Sequence, residues 1–393
     1  MKKRKHIKRL LTAALCIFGA VLIAAFGVFS AILISAGRDK NRFAREQTAH
    51  IAALEAEYSQ PGFAPADEMS MTGFDPAANG GARLNELRFL ATHNSYKAYN
   101  PFAEMLMDRV IAPLGFSASG VWSYGFETLS QQLDKGIRSF ELDVMREKDG
   151  FRCAHIPVVD YAATCPDFAL AMRELALWSE HHPGHLPITV LVEAKTTALS
   201  GGMLSHAFNI DDVLALEAQL ADTLGERLYT PAEMLGDYGD FAQLRAANGY
   251  PELSALLGKI IVIHHYAGGL TEAYAAQDPT LRAQKMFLSV GQWMTYEDET
   301  ADVNKPYACF LIDNYSDSPD MAENTGKFNF LVRTRSDTFP WHDSEWEAQA
   351  KATGAFILTT DYPPRDALGS DTYVVTFEDG ATVAQRAEST RRK

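Results

Sequence analysis

Side chains capable of metal and acid–base chemistry recur at the ends of four candidate strands. They comprise two histidines, one amide and three carboxylates: His93, Asn94, Glu141, Asp143, His155 and Glu193. Side chains two apart on a strand point to the same face, so Glu141 and Asp143 should lie together. Converging carboxylates repel one another unless a cation neutralises them. Because the amide and the carboxylates offer only oxygen, the pattern predicts a site for a hard cation, Ca²⁺ or Mg²⁺, rather than zinc or copper.

Two histidines beside a hard cation suit phosphoryl chemistry. The metal would neutralise a phosphate oxygen and lower the pKa of an attacking hydroxyl. One imidazole can hydrogen-bond the developing charge and the other can protonate the leaving alkoxide, each contributing typically about 10²–10⁴-fold. A single histidine at a strand end is more often structural, but the ordered set predicts a catalytic site.

Alternating strand and helix patterns must position these residues. Candidate strands occupy residues 87–92, 138–144, 151–155, 187–193, 259–264, 287–291 or 309–312, 330–334 and 356–360. Candidate helices include residues 126–135, 168–181, 213–224 and 344–353. Several strands are nearly all apolar, as in parallel sheets buried on both faces. About eight such repeats favour an α/β fold of the TIM-type (β/α)₈ barrel, with an open doubly wound sheet as the alternative.

The composition excludes several classes of protein. The chain has 393 residues, of which 47% are hydrophobic and 22% charged, and this describes a globular protein. The net charge of −14 argues against nucleic acid as a partner. No glycine-rich phosphate loop of the GxGxxG or GxxxxGK[ST] type supports nucleotide binding.

The N-terminal segment predicts a membrane anchor. Residues 1–9 are basic, and residues 10–37 then contain no charged side chain. This uncharged run is longer than the roughly 20 residues needed to span a bilayer. We expect an uncleaved transmembrane helix with a cytoplasmic N-terminus and an extracytoplasmic catalytic domain; secretion after signal cleavage is the alternative. Residues 38–82 are predicted as a linker, residues 83–380 as the barrel and residues 381–393 as a C-terminal tail.

Several motifs together resemble a known family. They are Thr92-His93-Asn94-Ser95-Tyr96, Glu141-Leu142-Asp143, His155 and Glu193. This set is similar to the catalytic X region of phosphoinositide-specific phospholipase C, and more closely to its bacterial Ca²⁺-dependent branch. The later segments Val332-Arg333-Thr334-Arg335-Ser336-Asp337 and Thr359-Thr360-Asp361-Tyr362-Pro363 also resemble that branch. The resemblance covers about residues 83–377.

The resemblance implies a fold, a reaction and residue roles. It implies a TIM-type barrel that cleaves phosphatidylinositol in a membrane to diacylglycerol and a cyclic or linear inositol phosphate, with the inositol 2-hydroxyl as nucleophile. His93 would stabilise the transition state and His155 would protonate the leaving group. The amide and the three carboxylates would bind Ca²⁺ rather than Mg²⁺. Either Glu141 or Glu193 would take the 2-hydroxyl proton. The resemblance does not specify an oligomeric state.

Other residues have two readings. Lys195, Arg333 and Arg335 are candidate binders of phosphate or inositol, although ion pairs with the many carboxylates would also explain them. Cys153 and Cys165 would form a disulfide in an oxidising compartment, and the alternative is two reduced buried thiols.

Two other functions compete with the phospholipase. A barrel phosphodiesterase of the glycerophosphodiester phosphodiesterase or sphingomyelinase D type also uses histidines and a Glu-x-Asp pair, but the His93-Asn94 pair and Glu193 complete a different metal set. A catalytically inactive, membrane-tethered binding barrel is a third possibility, although none of the catalytic residue types is missing.

Overall fold

Eight parallel strands close into a barrel. The computed structural model describes residues 2–106, 108–109, 112–115, 120, 123–154, 161–195, 208–291, 305–364 and 373–386. Within these residues the barrel order is β1-β2-β4-β5-β6-β7-β8-β9, and β1 pairs in parallel with both β2 and β9. This closure excludes the open doubly wound sheet and agrees with a TIM-type barrel. The strands are β1 (Leu87–Thr92), β2 (Ser139–Glu147), β3 (Gly150–Cys153), β4 (Ile188–Ala194), β5 (Ile260–His264), β6 (Phe287–Gly291), β7 (Phe310–Ile312), β8 (Leu331–Arg335), β9 (Ile357–Thr360) and β10 (Val383–Gln385).

Two strands lie outside the closed barrel, and one of them corrects a prediction. The segment predicted as a barrel strand at residues 151–155 is β3, which pairs antiparallel with β2 as a hairpin. Only two residues separate β2 from β3, whereas a parallel crossover needs a dozen or more. Both alternatives for a later strand, β6 and β7, belong to the barrel. The other outer strand, β10, pairs antiparallel with β1 and lies within the predicted C-terminal tail.

Helices cover the outside of the barrel. They are α1 (Lys2–Tyr58), α2 (Glu68–Thr72), α3 (Pro101–Leu106), α4 (Leu129–Asp134), α5 (Phe168–His181), α6 (Ile210–Leu224), α7 (Pro231–Leu235), α8 (Phe241–Ala246), α9 (Gly269–Ala275) and α10 (Ser344–Ala352). The predicted helix at 168–181 is confirmed as α5. The Asp167 side chain caps it by accepting a hydrogen bond from the Leu170 amide at 3.0 Å.

The first helix is much longer than the predicted anchor. Its apolar part is long and hydrophobic enough to cross a membrane and is not buried within the protein, a test that a signal sequence also passes. The helix then continues without a break to Tyr58, through the first part of the predicted linker. Phe43, Ile51, Leu54 and Tyr58 are buried, at a spacing that places them on one face of a helix. This stripe packs against the barrel, which explains why the segment is ordered.

The predicted disulfide between Cys153 and Cys165 is absent. Both residues are free, buried thiols, and so is Cys309. Burial raises the pKa of the Cys165 thiol, and a hydrogen bond with Cys153 adds to the effect. The structure therefore agrees with the alternative of two reduced, buried thiols.

A buried ion pair closes the base of the barrel. Arg138, directly before β2, contacts both carboxylate oxygens of Glu68 in α2, at 3.1 and 2.8 Å. The Leu186 amide, before β4, donates to the same carboxylate at 2.8 Å. Gly136 allows the close approach of α2, since a Cβ atom there would lie 2.3 Å from the Met71 carbonyl oxygen. Glu68 thus connects α2 to the residues that precede β2 and β4.

We expect Arg138→Ala to lower the free energy of unfolding by about 3–5 kcal/mol, because it leaves the Glu68 carboxylate buried without its cation. Urea denaturation followed by circular dichroism measures this change. Arg173→Ala is the control, since Arg173 forms an exposed pair with Glu55, and its loss should change stability by less than about 1 kcal/mol. Equal effects of the two substitutions would contradict this account of the base.

Candidate active site

Three carboxylates meet at the carboxyl ends of β2 and β4. Asp143 and Glu193 are direct partners in the parallel ladder of these strands. Glu141 lies two residues before Asp143 on β2 and therefore shares its face. One oxygen of each carboxylate lies within 4.8 Å of the others. The predicted convergence of Glu141, Asp143 and Glu193 is thus present in the structure.

The charges in this cluster are not balanced within the described residues. The Lys195 ammonium contacts the carboxylates of Asp143 and Glu193, at 2.9 and 2.7 Å. Burial raises the pKa of Asp143 to about 8 even though Lys195 opposes the shift, and Glu193 and Glu141 raise it further. One oxygen of Asp143, Oδ1, is buried and has no hydrogen-bond partner among the residues that the structure describes. A buried oxygen without a donor, beside two further acids, fits the ligand set of a hard cation.

Asn94 is positioned beside these carboxylates. It follows β1 in a left-handed conformation (φ 51°), which asparagine tolerates better than most residues. The next residue clamps β1 to β2: the Ser95 amide donates to the Glu141 carbonyl at 2.9 Å, and the Ser95 hydroxyl accepts from the Glu141 amide at 2.8 Å. The Asn94 side-chain nitrogen donates to the Tyr124 hydroxyl at 3.1 Å, which orients the carboxamide.

An aspartate orients His93. The Nδ1 atom of His93 lies 2.9 Å from Asp361 Oδ1, and Asp361 follows β9. Arg335 contacts the other oxygen of Asp361 at 3.1 Å and lies 3.2 Å from the same imidazole nitrogen. Burial alone would raise the pKa of Asp361, but His93 and then Arg335 outweigh it and hold the pKa near 2. The aspartate is therefore a buried anion that fixes the imidazole.

Two arginines of β8 face the same site. Arg333 forms a short ion pair with Glu141 and donates from Nε to the Thr359 hydroxyl at 2.9 Å. Burial would raise the pKa of Glu141, but Arg333 and then His93 lower it to about 2. Glu141 and Asp143, two residues apart, thus have opposite pKa shifts. Nearby cations outweigh burial at Glu141, whereas burial and the two neighbouring acids outweigh Lys195 at Asp143.

One predicted catalytic residue cannot be placed, and another histidine is nearby. His155 lies outside the described residues. At the end of β5, His264 stacks on Tyr274 of α9 and faces the helices; burial lowers its pKa to about 4. His265 instead lies near enough to Glu141 to lower the pKa of that carboxyl group. His265 is therefore the histidine of this pair that faces the site.

Two supporting residues have no assigned role in the sequence analysis. Tyr96 donates its hydroxyl to Asp143 Oδ2 at 2.9 Å, and Asp361 holds His93. Both occur in the segments that resemble the family, so their motifs were visible. Asp361 directly follows β9, and a position at a strand end is also what identified the other acids of the site. Its partner, His93, is 268 residues away in the sequence.

The comparisons with known proteins agree with this geometry. The family model described as phosphoinositide phospholipase C, Ca²⁺-dependent, matches residues 82–154 and 145–387. No curated protein matches the sequence at a significant level.

Solved structures share the fold. An apo crystal form of a calcium-dependent phosphoinositol-specific phospholipase C from the Gram-negative bacterium Pseudomonas sp. is 18% identical, with a TM-score of 0.54. The match covers 80% of this chain and 99% of that one. A myo-inositol complex of the Pseudomonas enzyme is 16% identical over 79% of this chain and 98% of that one, also with a TM-score of 0.54. At this level of sequence identity, the structural similarity shows that the barrel fold is shared. The family model matches most of the chain, and the chain therefore belongs to the Ca²⁺-dependent phosphoinositide phospholipase C family.

Proposed function

We propose that the protein is a Ca²⁺-dependent phosphoinositide phospholipase C, which cleaves phosphatidylinositol to diacylglycerol and an inositol phosphate. The observation that carries the proposal is the convergence of the Glu141, Asp143 and Glu193 carboxylates beside the His93–Asp361 pair, with Asp143 Oδ1 buried and without a partner among the described residues. Family membership supports the same activity.

Asn94, Glu141, Asp143 and Glu193 are the proposed Ca²⁺ ligands. Bound Ca²⁺ would supply charge neutralisation at a phosphate oxygen and lower the pKa of the inositol 2-hydroxyl. Lys195 bridges two of these carboxylates, so an incoming divalent cation competes with its ammonium. A displaced Lys195 would be near enough to contact a substrate phosphate.

The protein side chains would move the protons. Asp361 accepts from Nδ1–H of His93, so Nε2 would donate a hydrogen bond to the phosphate in the transition state when the imidazole is protonated on both nitrogens. Either Glu141 or Glu193 would take the proton of the 2-hydroxyl. His155, by its motif, would protonate the diacylglycerol oxygen as it leaves. Arg333 and Arg335 would contact phosphate or inositol from β8.

The apolar segment of α1 is the proposed membrane anchor. Residues 10–37 would span the bilayer, with residues 1–9 in the cytoplasm and the barrel, proposed to occupy residues 83–380, outside. Release of the barrel after cleavage of a signal peptide is the alternative. Western blotting of membrane and medium fractions with a C-terminal tag distinguishes the two.

We expect the purified protein to release diacylglycerol from phosphatidylinositol in the presence of Ca²⁺, to stop when a chelator is added, and to recover when Ca²⁺ is restored. Thin-layer chromatography of the lipid products measures this. Release of a free alcohol such as choline from other lipids, or recovery with Mg²⁺ but not Ca²⁺, would instead favour the related barrel phosphodiesterases.

We expect Glu193→Gln to weaken Ca²⁺ binding by at least the 10–100-fold that loss of an indirect metal partner typically causes. Titration calorimetry with Ca²⁺ measures the dissociation constant without any need for turnover. Glu217→Gln is the control, because this half-buried acid of α6 accepts hydrogen bonds from the Lys285 and Met286 amides in the outer layer. Unchanged affinity in Glu193→Gln would rule out Glu193 as a ligand.

We expect His93→Ala to lower kcat by about 10²–10⁴-fold with little change in the circular dichroism spectrum, since the side chain acts on the transition state. Asp361→Asn should lower kcat less, because it leaves the imidazole in place but disturbs its tautomer. His181→Ala, at the base of the barrel, is the matched control when both variants are measured on dispersed short-chain phosphatidylinositol, because His181 contacts α1. Near-normal turnover by His93→Ala would remove the phospholipase assignment.

A further inference from the structure

The first helix runs alongside α5 from the mouth of the barrel to its base. The side-chain amide of Gln47 makes two hydrogen bonds with the backbone of Asp167, the N-cap of α5, at 2.9 and 2.8 Å. Asp167 bridges to Arg152 in the hairpin at the carboxyl end of β2, so this contact lies at the mouth. At the other end, Tyr58 stacks on His181, the last residue of α5, with ring centroids 4.6 Å apart. The two helices are therefore parallel.

Side-chain contacts dock α1 on two barrel helices. The Nε2 atom of His50 lies 2.9 Å from the Ser130 hydroxyl of α4 and 3.1 Å from the Glu174 carboxylate of α5. Nearer the membrane segment, Phe43 packs with Ala98 and Ala162. These contacts hold the helix at several levels, so α1 is a docked strut and not a flexible tether.

The apolar segment therefore leaves the protein on the mouth side. A helix rises about 1.5 Å per residue, and Gly37 precedes Gln47 by ten residues. The end of the apolar run thus lies about 15 Å beyond the start of α5 along the helix. Between them, Lys40 contacts Glu147 at the tip of the β2–β3 hairpin, at 2.7 Å.

The mouth also has an apolar rim. Outside α1, six large hydrophobic side chains of the described residues are markedly exposed, and five of them follow the carboxyl ends of four neighbouring strands, β1, β9, β8 and β7. These five, which we call the mouth rim, are Tyr99, Met105, Tyr315, Trp341 and Val374. The sixth, Met69 in α2, lies at the base. Exposed apolar groups collected on one face indicate contact with an apolar partner.

Cations lie between the apolar run and the docked part of α1. Arg38, Arg42 and Arg45 are exposed, and their spacing places them on one side of the helix. At the end of a membrane-spanning helix, such side chains reach the phosphate layer.

We propose that α1 holds the mouth rim against the leaflet from which the helix emerges, so that the enzyme draws its phospholipid from the membrane in which it is anchored. This inference rests on the proposed phospholipase activity and anchor. The partner surface is the bilayer itself, because the apolar helix segment, the arginines and the mouth rim all lie at the same end of the barrel.

A quenching experiment on the full chain in vesicles tests the orientation without activity. A fluorophore is attached at Tyr315→Cys or at Met69→Cys in a Cys16→Ser background, in which the remaining cysteines described, 153, 165 and 309, are buried. Lipids with a quencher on the headgroup should quench the probe at position 315 strongly and the probe at position 69 weakly. Equal quenching, or stronger quenching at position 69, would overturn the proposal.

A second experiment tests the source of the lipid. Protein-containing vesicles receive phosphatidylinositol either in their own bilayer or only in separate acceptor vesicles, and diacylglycerol release is measured. We expect turnover in the protein's own bilayer to be about 10²-fold faster. Gln47→Ala/His50→Ala, which removes the docking hydrogen bonds, should lower that turnover about tenfold. Cleavage of dispersed short-chain phosphatidylinositol should stay unchanged.

Thr48→Ala is the matched control, since among the described residues the Thr48 hydroxyl donates only within its own helix, to the Ala44 carbonyl. Full turnover of the double variant in its own bilayer, or equal rates on the two lipid sources, would refute the proposal that docked α1 holds the mouth rim against the membrane. Absence of turnover on dispersed phosphatidylinositol would refute the proposed function instead, and the quenching pattern would still decide the orientation.

Discussion

Mutual repulsion among three carboxylates, two of them buried, is the constraint on which the site depends. Oxygens of Glu141, Asp143 and Glu193 lie within 4.8 Å of one another, where each pair of negative charges costs about 3–4 kcal/mol at an effective dielectric constant near 20. Lys195 and Arg333 offset part of this repulsion, and they do so unequally. Arg333 keeps Glu141 ionised, whereas burial holds the pKa of Asp143 near 8. A divalent cation would offset the remaining repulsion, which supports the proposed Ca²⁺ site.

The closed barrel is what brings the charges together. Parallel pairing of β2 with β4 puts Asp143 opposite Glu193, fifty residues later in the chain. The Ser95 clamp between β1 and β2 holds Asn94 next to Glu141. Closure of the sheet through β9 then brings Asp361 to His93. Each contact uses the carboxyl end of a strand, where loops are free to carry polar groups.

The sequence predicts the parts of this arrangement that are encoded locally. The strands β1 and β4 are largely apolar runs that end in polar residues, β2 alternates apolar with acidic residues, and α5 has both a cap and a helical apolar stripe. These elements and the acids of the site could therefore be inferred. The β3 hairpin was misassigned because an apolar run does not reveal its pairing partner. The docked part of α1 was missed because its buried stripe is spread through an alanine-rich segment that contains many charges. The Asp361–His93 pair depends on barrel closure, which no local pattern encodes.

The negative charge of the protein body gives a physical reason for docking the helix on the barrel. Residues 46–393 carry a net charge of −23, since residues 1–45 carry +9 of the total of −14. A body this acidic is repelled by an anionic membrane within a Debye length of about 8–10 Å. Diffusion would therefore bring a free barrel to anionic lipid slowly. A tether replaces that encounter with a high effective concentration of the barrel at the membrane. A flexible tether, however, would let any side of the acidic barrel face the lipid, and not the mouth alone. Docking α1 on α4 and α5 removes this freedom. The exposed arginines lie at the end of the docked segment that is proposed to meet the membrane, where their positive charge would offset the repulsion of the acidic body.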